Sequence, residues 1–165
     1  MKKRYLIIFS ALIMAIAAFT ACKKSTPGLT TIGEQDIVRV MNEVETATRG
    51  KDIEGVIRHM APFVVITVSM DSPFSMKKVQ MSRDQYKAEL QKVFLRASRH
   101  EYRRENETIA IREDGKSAVV ETNVVELVVM GGLEHRTTTH EKAVIEIIDG
   151  RILVTSLDAV VRKKE

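Results

Sequence analysis

The 165 residues contain one cysteine, Cys22, so no disulfide can form within the chain and its stability must come from a packed core. There is no glycine-rich phosphate loop, and no His/Cys cluster has the spacing of a zinc site. Nucleotide-loop and zinc chemistry therefore have no motif to rest on, and neither a cofactor nor a metal is expected. Internal repeats are also lacking. The longest apolar run, from Tyr5 to Phe19 and broken only by Ser10, is shorter than the ~20 residues a helix needs to cross a bilayer.

That run follows the basic segment Met1-Lys2-Lys3-Arg4, which is the pattern of a secretion signal. Phe19-Thr20-Ala21 then leads directly into Cys22, and the tetrapeptide resembles the lipobox of bacterial lipoproteins, with Phe19 where leucine is usual. The resemblance implies cleavage before Cys22, a thioether-linked diacylglycerol on its sulfur and a further acyl chain such as palmitate on its amino group. Two or more chains anchor a protein stably where one is marginal. Lys23 in place of aspartate implies the periplasmic face of the outer membrane if the cell is Gram-negative. The alternative is a plain signal peptide with an incidental cysteine. On the lipoprotein reading, residues 1–21 are the signal, 22–32 the lipidated cysteine and a flexible tether, and 33–165 one domain.

The formal charge of +4 does not survive this processing. Of 26 basic residues, Lys2, Lys3 and Arg4 depart, leaving 23 against 22 acidic ones. A nearly neutral domain has no electrostatic footprint for nucleic acid, so none is expected as a partner.

Within the domain, Ile37, Val40, Met41 and Val44 recur at helical spacing until Gly50 closes the run. Asp52 is placed to cap a short second helix with Ile53, Val56, Ile57 and Met60 on one face, ending before Pro62. Phe63 to Val68 is β-branched enough for a strand, and Asp71, Ser72 and Pro73 belong to a loop. Ser82 is placed to cap a third helix, whose buried stripe is Tyr86, Leu90, Val93, Phe94 and Ala97. After Arg99 the pattern becomes long strands separated by Asp114-Gly115, Gly131-Gly132 and Asp149-Gly150, which are hairpin dipeptides. The class expected is α+β, with helices on one face of a curved antiparallel sheet.

This order, with Lys51-Asp52-Ile53-Glu54 opening the second helix, Ser82-Arg83-Asp84-Gln85-Tyr86 the third, and Asp149-Gly150-Arg151-Ile152 in the meander, resembles the nuclear transport factor 2-like superfamily. SnoaL-like and ketosteroid-isomerase-like proteins belong to it. The resemblance implies a cone-shaped, cystatin-like fold with three N-terminal helices on the sheet. It implies little about activity, because that fold hosts isomerases, dehydratases, cyclases and binding modules. Many relatives present inward histidines on the last strand, where this chain has Ser156 and Asp158. The first helix has no tyrosine to match the ketosteroid-isomerase oxyanion donor, and Asp71 is out of clear register with that family's general base.

Two-residue turns predict register. Gly131-Gly132 sets Glu121 opposite Lys142 and Asn123 opposite His140 on a solvated face, and Thr122 beside Glu141 and Val124 beside Thr139 on the inner one. Asp149-Gly150 extends this to Ala143 with Ser156 and Glu141 with Asp158, and Asp114-Gly115 adds Glu107 beside Thr122. The expected inner row is Glu107, Thr122, Glu141 and Asp158. It is either a wet rim or a pocket wall, and a one-residue slip at a bulge would turn its members outward. The pocket candidates are Glu107, Thr122, Thr139, Glu141, Ser156 and Asp158, with Tyr86 as a hydroxyl reaching in from the third helix. His59 lies off its helix's apolar stripe and is expected on the surface, while His135 and His140 fall on opposite faces of one strand.

Two functions follow. In the first, an envelope module binds a small apolar or amphipathic ligand, or a protein partner such as a second copy through the outer sheet face, without catalysis. In the second, a SnoaL-like lyase or isomerase uses Glu141 or Asp158 as general base with Tyr86 as proton donor. Either way attachment should depend on lipid. A Cys22→Ser variant is expected to leave the membrane fraction while the domain still folds, and its retention by membranes in cell fractionation would overturn the lipobox assignment.

Overall fold

The computed structural model describes residues 28–70 and 77–163. The signal, Cys22 and the Asp71–Pro73 loop lie outside the described residues.

Helix α1 spans Glu34–Arg49 and buries Ile37, Val40, Met41 and Ala47; Gly50 is its C-cap. Its acidic residues Glu34 and Asp36 stand in the first turn and Arg49 in the last, which complements the helix dipole. Helix α2, Ile53–Ile57, is a single turn capped by Asp52, whose Oδ1 accepts the Gly55 N–H at 2.9 Å. The chain then enters β1, Met60–Met70, and an edge strand β2, Lys77–Met81. Sequence patterning missed β2, which is short and has no alternation to declare it. Helix α3, Arg83–Arg96, starts at a capping box in which Ser82 Oγ accepts the Gln85 N–H and Gln85 Oε1 accepts the Ser82 N–H. Two strands thus precede the third helix, so the helices do not form one N-terminal block.

The rest is the meander: β3 Arg99–Ile111, β4 Ser117–Met130, β5 Leu133–Ile148 and β6 Arg151–Lys163. The six-stranded sheet has the order β2-β1-β6-β5-β4-β3, with β1 and β6 parallel and the other pairs antiparallel. Gly131 and Gly132 have φ of 59° and 82°, and Asp149 and Gly150 have φ of 51° and 73°. Positive φ at both central residues is what a tight hairpin turn of the right twist demands.

Helices α1 and α3 lie over one face of this sheet, α1 against β3 and β6 and α3 against β1 and β2. The core between the layers centres on Ile37, Ile57, Ile66, Val120 and Ile145, each essentially inaccessible to solvent. Burying an aliphatic side chain of this size contributes roughly 1.5–3 kcal/mol.

Two bulges shape the inner face. Glu105 pairs with Asn123 and Thr108 with Glu121, so Asn106 and Glu107 together face Thr122, and Asn106 takes φ 56°. On β6, Ile145 pairs with Val154 but Val144 pairs with Ser156, which leaves Thr155 unpaired. A bulge bends its strand and shifts every later side chain to the opposite face.

The expected tether is partly docked. Leu29 N–H donates to Gly150 O at 3.2 Å and Ile32 N–H to Gly115 O at 2.7 Å, and Ile32 is buried in the core. A Cβ on Gly150 would stand 2.6 Å from the Gly28 Cα, so two glycines permit the crossing. The strap Gly28–Ile32 therefore closes the end of the sheet that carries the Asp114-Gly115 and Asp149-Gly150 turns. Ile32→Ala is expected to lower unfolding stability by about 2–4 kcal/mol in chemical denaturation. A loss under about 1 kcal/mol would show that the strap is not part of the core.

Candidate functional site

The β4–β5 hairpin positions the site. As the turn spacing predicts, Glu121 pairs with Lys142, Asn123 with His140, Thr122 with Glu141 and Val124 with Thr139. The first two pairs are polar contacts on the outer face: Lys142 Nζ lies 2.9 Å from Glu121 Oε1, and His140 Nδ1 lies 3.2 Å from Asn123 Oδ1. The other two line a partly open cavity of about 340 Å³ between the helices and the inner sheet face. Its walls are mostly apolar, with Met41 and Val44 from α1, Leu90 and Phe94 from α3, and Val120 and Leu157 from the sheet. A wider depression beside Arg39 and Arg58 lies along the exposed side of α1 and encloses nothing.

Glu141 is one of the polar groups that line the cavity. Burial, reinforced by the nearby Glu126 carboxylate and opposed by Arg104, pushes its pKa from 4.5 up to about 7. By accessible area Glu141 is intermediate rather than buried, but it lines the cavity, so the area it keeps borders that space. Tyr86 from α3 and Tyr102 from β3 also line it. Burial and then the Glu141 carboxylate push both hydroxyls well above their usual range, so they remain protonated.

The surroundings hold these groups in place. Glu126 Oε1 is 2.7 Å from Nε2 of His100, whose side chain is wholly enclosed and meets Phe94 edge-on at 5.2 Å. His100 Nδ1 has no partner among the described residues. Arg104 donates to Glu45 Oε2 at 2.9 Å and Asn42 Oδ1 at 2.7 Å, both on α1, and also to Glu107. Its charge is thereby matched by two carboxylates. Thr122, 3% exposed, donates to Glu105 O across the β3 bulge at 3.1 Å.

Of the residues expected at the pocket, Glu141, Thr122, Thr139 and Tyr86 line it. Glu107 does not, because it sits in the bulge and is taken up by Arg104. Ser156 and Asp158 are corrected outright. Once Thr155 is skipped, Ser156 pairs with Val144 and Asp158 with Lys142, and Asp158 is exposed on the outer face. Leu157 takes the inward position instead. His59 is also corrected: it is 8% exposed and lines the cavity, with Nε2 3.1 Å from Glu43 Oε2 but poorly aligned for a hydrogen bond. Burial lowers its pKa against the pull of Glu43, so the ring is neutral at neutral pH. His135 lines the cavity and His140 lies outside, in keeping with opposite faces.

Glu126, Tyr102 and His100 are the residues that sequence reasoning missed. Glu126 shares the parity of Thr122 and Val124, so carrying the hairpin register one pair further would have placed it inward. Tyr102 pairs directly with Glu126.

Chemically, the cavity offers a carboxyl that exchanges its proton near neutrality, a second carboxylate held by an imidazole, and two hydroxyl donors in apolar surroundings. The sign of the stability effect follows from Glu141's raised pKa. Between pH 4.5 and about 7 the unfolded chain has released this proton and the folded chain retains it, so stability falls as pH rises. The full effect above pH 7 is on the order of 3 kcal/mol. Glu141→Gln is accordingly expected to stabilise the protein by up to that amount at pH 8 and by almost nothing at pH 4, measured by urea unfolding. Equal effects at the two pH values would contradict a raised pKa.

No family model and no curated protein matches the chain. Solved structures do. A conserved protein from Planctomyces limnophilus superposes with a TM-score of 0.67 at 19% identity, covering 79% of this chain and 97% of that one. An NTF2-like protein from Cytophaga hutchinsonii gives 0.62 at 14% identity, covering 79% and 100%. An NTF2-like protein of unknown function from Pseudomonas putida gives 0.61 at 16% identity, covering 77% and 84%. Identities this low speak for the fold alone. The chain has the nuclear transport factor 2-like, cystatin-like α+β fold, with a six-stranded sheet.

Proposed function

We propose that this protein is a lipid-anchored envelope lipoprotein whose domain holds a small apolar or amphipathic molecule in this cavity, without catalysis. The observation that carries the binding reading is the cavity itself: about 340 Å³, walled mostly by aliphatic, aromatic and methionine side chains, with Glu141 and Glu126 among its polar groups. Concave, largely apolar sites with a few convergent polar groups are where small ligands bind. The anchor is supported by the basic start, the apolar run and the Phe19-Thr20-Ala21-Cys22 segment. Pairing with a second copy belongs to the same proposal, supported by the exposed Phe63 and Val65 on β1.

A second reading is favoured by one observation. A carboxyl with a pKa of about 7 beside the protonated Tyr86 and Tyr102 is suited to general acid–base work on a bound molecule, as in a lyase or isomerase. Glu141 would be the base. Asp158 leaves this reading because it points away from the cavity.

The binding reading is tested by filling the space. Ala143 is buried against the cavity, and Ala143→Trp should abolish retention of any ligand seen by native mass spectrometry of the purified protein, at a stability cost of about 1–3 kcal/mol. Undiminished retention in a folded variant would place the ligand elsewhere. If the recovered molecule is chemically altered by wild-type protein and not by Glu141→Gln, the catalytic reading replaces the binding one.

A further inference from the structure

We propose that the occupant of the cavity is a cationic amphiphile, an organic amine whose ammonium group meets Glu141 and Glu126 while its apolar body lies against Met41, Val120 and Leu157. This rests on the cavity being a ligand site and adds the charge class of the ligand.

The charge of the lining is one-sided. Glu89, Glu126 and Glu141 contribute to it, and among the described residues no lysine or arginine does. The charge of Arg104 reaches Glu141, but its guanidinium is occupied by Glu45, Glu107 and Asn42 and does not line the cavity. His59, inside the cavity, is held neutral by burial. An anionic ligand would meet two inner carboxylates with no lysine or arginine among the described lining residues to balance it. Burial and the Glu126 carboxylate both oppose ionisation of Glu141, and an ammonium beside Glu141 would offset that penalty.

The other lining groups suit the same ligand. Tyr86 and Tyr102 present aromatic rings, and the negative face of a ring attracts an ammonium group. Met41, Met60 and Met81 give a polarizable, adaptable wall for an aliphatic or aromatic body. His100 fixes Glu126 through its 2.7 Å contact, so one of the two carboxylates is positioned before anything binds.

Binding an ammonium would require Glu141 to give up its proton. Affinity for an amine should therefore rise with pH through about 7, where Glu141 ionises, and level off above it. The groups that could add to this dependence are Glu126, Glu89, Arg104, Tyr86, Tyr102 and the cavity histidines His59 and His135. Glu141→Gln leaves all of these in place, so any pH dependence that they add survives in that variant.

The test uses the purified full-length protein and three probes of matched shape: phenylbutylamine, phenylbutanol and phenylbutyrate, measured by isothermal titration calorimetry. The amine is expected to bind at least about tenfold more tightly than the other two at pH 8, and to lose about tenfold in affinity between pH 8 and pH 6. Glu141→Gln should lose both the preference and most of the pH dependence. Should that variant fail to fold, wild-type titrations at pH 7 in two buffers of different ionisation enthalpy remain decisive, because amine binding must release a fraction of a proton. Equal or tighter binding of phenylbutanol or phenylbutyrate, or proton uptake with the amine, would overturn the assignment while leaving a ligand cavity standing. Binding of none of the three would remove the cavity reading together with it.

Discussion

Strand register is the constraint on which everything else in this protein depends. Side chains on a strand alternate between faces with a period of two, so one count decides whether a glutamate faces solvent or an apolar cavity. The left-handed conformations of Gly131 and Gly132 set that count for β4 and β5. Glu121, at one parity, is an exposed partner of Lys142 whose contact lowers its pKa; Glu126, at the other, faces the cavity. The same residue type thus takes opposite electrostatic roles on one strand.

The bulge at Thr155 corrects the count on β6, and its consequence is chemical. Without it Asp158 would stand opposite Glu141, adding a third inner acid on adjacent strands. With it, Asp158 turns out to Lys142 and Leu157 turns in. The cavity thereby keeps an apolar wall next to its acidic end, a contrast suited to a molecule with one polar end. At the other side of the site, Arg104 ties β3 to α1 through Glu45 and Asn42 and restrains the rise in the Glu141 pKa. One side chain therefore joins the packing of the helix layer to the electrostatics of the cavity.

Much of this was legible in advance where local chemistry was unambiguous. Asp52 and Ser82 act as the caps their positions announced, and the three glycine turns bound the meander. Glu141, Thr122, Thr139 and Tyr86 were placed inward by counting from turns and by helical periodicity, and they line the cavity. His59 was misplaced because it lies in the turn between α2 and β1, where helical periodicity no longer governs direction. The strap Gly28–Ile32 looked like free linker because small and polar residues have no period, although its backbone bonds to two hairpin turns.

The sequence by itself determined the α+β class, the helix caps, the turns and the β4–β5 register, because each follows from dihedral preferences and spacing within a few residues. The tertiary structure alone decided which carboxylates are enclosed. Bulges such as that at Thr155 arise from how strands bend to pack beneath the helices, and burial, which moves the Glu141 pKa to about 7, is a property of what surrounds a residue and not of its neighbours in the chain.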